Sequence, residues 1–164
     1  MNDRDQAQFA QWVRDYRGYL YRAAWALTGE RAAAQDLVQE TLAIAWRARR
    51  QLRDGNAVRA WLYRILRREA MRIWREREAA GGWDDAECEN VQDSSPDPAA
   101  RLDLVDALQR LSPLHREILV LFYLVDMSYA DLAQALDIPE GTVMSRLNRA
   151  RDALRLLLGE EYTK

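Results

Sequence analysis

Arginine is the residue type in this sequence whose number and spacing most clearly indicate a chemical function. Between residues 47 and 78 there are eleven arginines and four acidic residues, a local charge of +7 in a chain whose net charge is −2. Guanidinium groups are rigid forks of N–H donors that match phosphate oxygens, so this stretch is able to bind a nucleic-acid backbone. A solvated helix face is the alternative, and charge by itself favours that alternative.

Catalytic or metal chemistry finds little support in the sequence. Cys88 is the single cysteine and His115 the single histidine, which excludes an intrachain disulfide and a multi-ligand Cys/His metal site. There is no cleft pattern of paired carboxylates, no nucleophile with a base and no phosphate loop. We therefore expect a protein that is not an enzyme and that uses no metal or cofactor.

A second group of basic residues follows a turn near the C-terminus, in PEGTVMSRLNRARDAL (139–154). Pro139 predicts the end of one helix, Gly141 permits a bend, and Thr142 can cap the next helix. Two helices joined by a short glycine-containing turn are typical of a helix-turn-helix, whose second helix enters the DNA major groove. The candidate DNA contacts near the start of that helix are Thr142, Ser145, Arg146, Asn148 and Arg149. An ordinary helical hairpin with a basic outer face is the alternative.

Apolar periodicity predicts the helices that carry these residues. Three helices, over about 9–28, 31–50 and 57–77 with Asn56 as N-cap, each show one apolar stripe, and we expect them to form one domain over 1–78. Four shorter helices, opened by Asp97-Pro98, Ser112-Pro113, the capping box SYAD and the Pro139 turn, predict a second domain over 98–164. The fold class is therefore all-α, with two small helical domains.

The stretch 79–97 breaks every periodicity and holds six acidic residues and no basic one. Such a segment cannot bury enough apolar surface to offset the cost of ordering, which predicts a flexible acidic linker. The linker either follows a basic channel in a partner or is a plain tether. No apolar run approaches the ~18 residues of a membrane span, and the N-terminus lacks a signal-peptide core, so we expect a cytoplasmic protein without membrane insertion.

Four segments, taken together and in order, resemble one protein family. They are QDLVQETLAIAW (35–46), AWLYRILRREAMRIWRER (60–77), LSPLHREILVLFYLVDMSYADLAQALDI (111–138) and PEGTVMSRLNRARDALR (139–155). The first two resemble region 2, and the last two region 4, of extracytoplasmic-function (ECF) sigma factors, the small sigma subunits of bacterial RNA polymerase. The likeness covers nearly the whole chain outside the linker.

The resemblance implies a sigma factor that binds core RNA polymerase and directs promoter-specific initiation through the minus-10 and minus-35 elements. Its implied partners are core RNA polymerase, promoter DNA and an anti-sigma factor. The positions that match the polymerase-binding helix are Asp36, Leu37, Gln39 and Glu40, with Leu37 as an apolar anchor and the others paired with a basic partner helix. The final helix, with the residues given above, matches the minus-35 reader.

The third helix and the loop before it match the element that faces minus-10 DNA. The residues carried over are Arg53, Asn56, Arg59, Trp61, Arg64, Arg67, Arg68, Arg72 and Arg75. The arginines would hold phosphates, and the 53–56 loop would accommodate an unstacked base. Trp61 and Tyr63 can stack on bases, although the position of Trp61 on the inward stripe favours the core. Family members commonly carry Asn where Arg68 stands and Asp where Arg72 stands, which favours a more phosphate-driven contact here.

Two other classes of protein stay open at this point. A transcriptional regulator with a LuxR-like output domain would use the same C-terminal helices, but it needs an upstream ligand or phosphoacceptor site that the sequence does not show. An all-α interaction module, such as an anti-sigma partner or adaptor, needs no outward arginines on its last helix. Co-elution with core RNA polymerase separates the first interpretation from both alternatives.

Overall fold

The computed structural model describes residues 2–80 and 98–162, and within these residues the regular structure is helical, with no strand. The chain divides into two compact units, Met1–Cys88 and Glu89–Lys164. The predicted all-α class with two helical domains is therefore confirmed. The predicted linker over 79–97 lies outside the described residues except for Ala79, the last residue of a helix, and Ala80.

The first unit is a three-helix assembly in which every helix contacts the other two. Its elements are α1 (Asp3–Thr28), α2 (Arg31–Ala48), a 3-10 turn (Arg49–Gln51), a second 3-10 turn (Gly55–Ala57) and α3 (Val58–Ala79). Gly29 ends α1 in the left-handed conformation with φ 69°, and its N–H donates to the Trp25 carbonyl at 2.7 Å, which confirms the predicted helix end.

The core of the first unit combines small residues on α1 and α2 with large side chains from all three helices. Ala23, Ala24 and Ala34 are fully buried, so the helix backbones approach closely there. The large side chains with almost no exposure are Leu20, Leu37, Val58, Leu62, Tyr63 and Leu66. Burying one such side chain contributes about 1.5–3 kcal/mol. This packing holds α2 and α3 rigidly enough to present their outer faces.

The start of α3 differs from the prediction. Asn56 does not cap the helix; instead the Asp54 carboxylate accepts a hydrogen bond from the Asn56 N–H at 2.9 Å. The chain then makes a 3-10 turn before α3 begins at Val58. The cap lies two residues earlier than expected because this extra turn separates it from the α-helix.

The second unit packs three short helices against one long one. Its elements are α4 (Pro98–Arg110), α5 (Pro113–Tyr123), α6 (Tyr129–Leu136) and α7 (Glu140–Tyr162). The predicted caps of α5 and α6 are confirmed: the Ser112 hydroxyl accepts from the His115 N–H, and Ser128 and Asp131 form both bonds of a capping box, each at 3.1 Å. Helix α7 contacts α4, α5 and α6, and the buried residues it contributes are Val143, Leu147 and Ala150.

The turn between α6 and α7 is built differently from the prediction. Asp137 makes the reversal, in the left-handed conformation with φ 54° and ψ 51°. Gly141 lies inside α7 without a positive φ, so the expected bend at this glycine is wrong. Thr142 is also within α7 rather than at its cap, and its N–H donates to the Pro139 carbonyl at 3.0 Å. Aspartate tolerates the left-handed region because its short polar side chain bonds locally, which makes glycine unnecessary here.

Candidate nucleic-acid and polymerase interfaces

The outer face of α2 presents the candidate polymerase-binding residues. Asp36, Gln39 and Glu40 are exposed and, at spacings of three and four residues, they share one helix face. The Glu40 carboxylate lies 3.7 Å from the Arg47 guanidinium. Leu37 is only 1% exposed, so the expectation that it forms an apolar surface anchor is wrong. It lies on the buried stripe of α2, where it fixes the helix rather than touching a partner.

The loop before α3 and the first turn of that helix bring Arg53, Asn56 and Arg59 to one end of the first unit. Arg53 and Asn56 are exposed. Arg59 is tied to α1 in two ways: its carbonyl accepts a hydrogen bond from the Tyr19 hydroxyl at 3.1 Å, and its guanidinium carbon lies 5.0 Å from the Tyr19 ring centroid. The Arg59 guanidinium is therefore held against the Tyr19 ring of α1.

Along α3 the arginines are not equivalent. Arg64, Arg68 and Arg75 are exposed and Arg67 is half-buried. Arg72 donates from Nε to Glu69 at 2.9 Å and from Nη1 to Glu76 at 2.8 Å. These hydrogen bonds, that with Glu69 first, raise the pKa of Arg72 above its usual value. Its charge is thus compensated by two carboxylates of its own helix.

Of the two aromatic side chains near the start of α3, one is fully buried and the other half-buried. Tyr63 is fully buried, at 0% exposure, so the prediction that it stacks on bases is wrong. Trp61 is half-buried and packs edge-on against Trp12 with ring centroids 6.2 Å apart. It belongs to an aromatic row, Trp46–Phe9–Trp12–Trp61, which joins all three helices at half-buried positions. Part of the Trp61 surface thus stays accessible to solvent.

The first turns of α7 separate a buried stripe from a polar one. Ser145, Asn148 and Arg149 are exposed, whereas Arg146 and Thr142 are half-buried at the flank. The Ser145 hydroxyl donates to the Thr142 carbonyl at 3.1 Å, so its remaining lone pairs are free to accept. The structure thus brings the predicted minus-35 residues to one end of one helix.

Several positioning contacts were not predicted, and two of them, Arg151–Tyr123 and Arg49–Asp5, join residues far apart in the chain. Arg151 on α7 donates from Nε to the Tyr123 hydroxyl of α5 at 2.7 Å and from Nη1 to the side-chain amide oxygen Oδ1 of Asn148 at 3.2 Å. In the first unit, the Arg49 guanidinium lies 3.8 Å from the Trp46 ring centroid and 3.7 Å from the Asp5 carboxylate. In the sequence, two of these contacts have a local signal, the spacing of three residues between Asn148 and Arg151 and between Trp46 and Arg49.

None of the helices in the described residues combines the length and the apolar character that crossing a lipid bilayer requires.

Comparison with known proteins gives the same division of the chain. The family model for sigma-70 region 2 matches residues 12–80, and that for sigma-70 region 4 matches residues 101–154. The ECF RNA polymerase sigma factor SigL of Mycobacterium tuberculosis is 38% identical over 154 residues, which cover 89% of this chain and 86% of SigL. The chain belongs to the ECF sigma factor family.

Two solved structures of sigma factors are also similar. The sigma factor RpoE in complex with the anti-sigma factor NepR from Bartonella quintana is 32% identical and covers 93% of this chain and 97% of RpoE, with a TM-score of 0.79. CnrH in complex with the cytosolic domain of CnrY is 28% identical and covers 94% of this chain and 90% of CnrH, with a TM-score of 0.69. Family membership gives the function of the chain at class level, which is promoter-specific transcription initiation as a sigma factor of RNA polymerase.

Proposed function

We propose that three surfaces divide the work of initiation among them. The outer face of α2 binds core RNA polymerase, the loop before α3 together with α3 binds minus-10 DNA, and the start of α7 reads the minus-35 element. The observation that carries this proposal is that the segments matching regions 2 and 4 fall in different compact units, each with a polar face at the expected helix. We place the domains at 1–78 and 98–164, joined by a linker over 79–97.

Charge and exposure on α2 support the polymerase contact. Asp36 and Glu40 are exposed carboxylates one turn apart, beside the exposed amide of Gln39. A basic partner helix would gain complementary contacts with this face, and opposite charges across an interface also speed encounter. Leu37 then serves the contact indirectly, because its burial sets the rotation of α2.

Reversing both charges on α2 tests the polymerase surface. The variant Asp36→Arg with Glu40→Arg should reduce co-purification with core RNA polymerase at least tenfold, on the order expected when like charges face each other across an interface. The matched control is Asp3→Arg with Asp15→Arg, which changes the net charge equally at exposed positions of α1. Circular dichroism confirms that both variants fold. If both variants bind core enzyme like the wild type, the assignment of this surface is wrong.

For minus-10 DNA we propose phosphate contacts from the α3 arginines and a base pocket at the preceding loop. Arg64, Arg67, Arg68 and Arg75 supply the cations, and Arg72 engages a phosphate only by leaving its two carboxylates. Arg53, Asn56 and Arg59 border the pocket, and the half-buried Trp61 beside them stacks on an unpaired base through its accessible surface.

For minus-35 DNA we propose that the first turns of α7 lie in the major groove. Arg149 is exposed on the outer stripe and suits a guanine edge, whereas the half-buried flank position of Arg146 suits a phosphate. Thr142 and Ser145 supply hydroxyl groups at the end of the helix that approaches the DNA.

We further propose an anti-sigma factor as a regulatory partner. RpoE, similar to this chain over 93% of its length, was solved bound to the anti-sigma factor NepR. In the same proposal the chain is a non-catalytic subunit that acts in the cytoplasm, where the polymerase of bacteria is found.

A further inference from the structure

The exposed end of α5 carries an aromatic pair whose position local packing does not explain. Tyr123 is 56% exposed, yet its hydroxyl accepts a hydrogen bond from Arg151 Nε at 2.7 Å, across 28 residues of sequence. The Arg151 guanidinium carbon also lies 5.6 Å from the ring centroids of both Phe122 and Tyr123. Two helices are thus joined at the outer stripe of α7.

The support for this contact comes from α5 and α6 rather than from α7 itself. The Phe122 ring stacks on Tyr129 of α6 with centroids 5.5 Å apart, and it meets Tyr123 edge-on at 4.9 Å. Tyr123 is therefore fixed in direction although its surface is open to solvent. An arginine held by a fixed hydroxyl and two rings loses the rotational freedom that an exposed arginine normally has.

Arg151 in turn determines the orientation of the Asn148 amide. Its Nη1 lies 3.2 Å from Asn148 Oδ1. A guanidinium group only donates hydrogen bonds, so the amide oxygen must face it and the amide NH2 group must face away. An asparagine that is free to flip offers a donor or an acceptor equally well, but one held in this way offers donors.

We propose that Tyr123 and Arg151 are positioning residues that hold Asn148 with its NH2 group toward the DNA, so that Asn148 selects a base with an acceptor on its major-groove edge. Guanine, adenine N7 and thymine O4 provide such acceptors, whereas the major-groove edge of cytosine presents its N4 donor. On the strand that Asn148 contacts, the base is then any base except cytosine, since the acceptors of a C·G pair lie on the guanine of the other strand. This inference rests on the proposed reading of minus-35 DNA by α7.

The test uses a DNA library with a randomised minus-35 element, bound by holoenzyme reconstituted from core RNA polymerase and the full chain. Asn148→Ala identifies the position that Asn148 reads. Tyr123→Phe keeps the ring and removes the hydroxyl, and Arg151→Lys keeps the charge and removes the guanidinium group. At that position each substitution should reduce the exclusion of cytosine at least about fivefold. In the Asn148→Ala background, Tyr123→Phe should change base preference no further.

A second measurement does not depend on DNA. In the free protein the Arg151 Nε–H, bonded to the Tyr123 hydroxyl, should exchange with water more slowly than that of Arg155, which reaches Asp152 through Nη1. Tyr123→Phe should remove this protection. We call the chain of contacts Tyr123–Arg151–Asn148 the relay. An equally fast exchange of both groups in the wild type would overturn the proposal, because the relay would then not exist in solution.

The library also distinguishes a failure of the proposed DNA reading by α7 from a failure of the Tyr123–Arg151–Asn148 contacts alone. If Arg149→Ala and Asn148→Ala both leave every base preference unchanged, α7 does not read the element and the proposed function of this surface fails. If Arg149→Ala flattens one position but Tyr123→Phe and Arg151→Lys retain the wild-type exclusion of cytosine at the position of Asn148, only the relay is overturned. A loss of overall affinity with unchanged preference would also overturn it, since that is the effect of a lost phosphate contact.

Discussion

At the scale of single residues, Arg72 shows that counting arginines overstates the charge available to DNA. Glu69 and Glu76, three residues before it and four after it, already occupy two of its donors at 2.9 and 2.8 Å. The pair with Glu76 is exposed and contributes little stability, whereas the Glu69 side chain is only 12% exposed. A DNA phosphate that binds Arg72 has to replace both carboxylates. The middle of the basic face is therefore weaker than its composition indicates.

This compensation is testable from the salt dependence of promoter binding by the holoenzyme. Arg68→Gln, one turn before Arg72 and exposed, should reduce the slope of log K against log salt by about one unit, as expected for one lost phosphate contact. Arg72→Gln should change the slope by clearly less. Glu69→Gln with Glu76→Gln should increase the slope, but only while Arg72 is present. Equal effects of the two arginine substitutions would contradict the compensation.

The two arginines at the start of α7 should have different effects when removed. Arg149→Ala should flatten preference at one or two positions of the minus-35 element, because an arginine–guanine pair gives about 1–3 kcal/mol of discrimination. Arg146→Ala should weaken all promoters about equally and reduce the salt slope by about one unit. Binding of a randomised minus-35 library at two salt concentrations measures both quantities. Wild-type preference and affinity in both variants would mean that the basic face is only solvated.

At the scale of elements, the α6–α7 turn makes alanine stabilising at one position and destabilising at another. Gly141 is helical, and a Cβ added there would meet nothing within 4 Å, so Gly141→Ala should stabilise the protein by about 0.5 kcal/mol. Asp137→Ala places an ordinary residue at φ 54° and should destabilise it by about 1 kcal/mol. Urea unfolding followed by circular dichroism measures both. Destabilisation by Gly141→Ala would mean that the turn needs glycine after all.

Elements that are specified by neighbouring residues could be predicted, whereas those that depend on tertiary contacts could not. Ser112 and the Ser128–Asp131 pair cap their helices as the sequence indicates, because a cap uses only residues three apart. The first helix also ends where Gly29 predicts. The role of Asp137 was missed because a glycine and a proline nearby were the stronger turn signals. No local pattern indicates that the Tyr123 hydroxyl meets Arg151.

The candidate site was predictable only in part for the same reason. Helical spacing correctly put Asp36, Glu40 and Arg149 on outer faces. A resemblance to a family, however, shows which positions correspond, but it does not show whether the side chains at those positions are exposed. Leu37 and Tyr63 were expected to reach partners, yet both are buried in the core of the first unit. A residue type with two uses, such as leucine in a core or in an interface, needs the tertiary structure to decide between them.

At the scale of the whole molecule, each unit has its own buried core, one around Leu20, Leu62 and Leu66 and the other around Ile118, Leu132 and Leu147. Fragments 1–88 and 89–164 should therefore each be helical and unfold cooperatively. Circular dichroism during urea titration of each fragment measures this. A fragment that is unfolded by itself would show that its core is incomplete without the rest of the chain.

The distribution of tryptophan between the units has an optical consequence. Five of the six tryptophans, at positions 12, 25, 46, 61 and 74, lie on the three helices of the first unit, the sixth falls in the proposed linker, and residues 98–164 contain none. Indole emission from a full-length Trp83→Phe variant therefore reports unfolding of the first unit alone, while the helical signal sums over both. A transition seen in ellipticity but absent from indole emission belongs to the second unit, so a single titration of unlabelled, uncut protein assigns each unfolding event to its half of the chain.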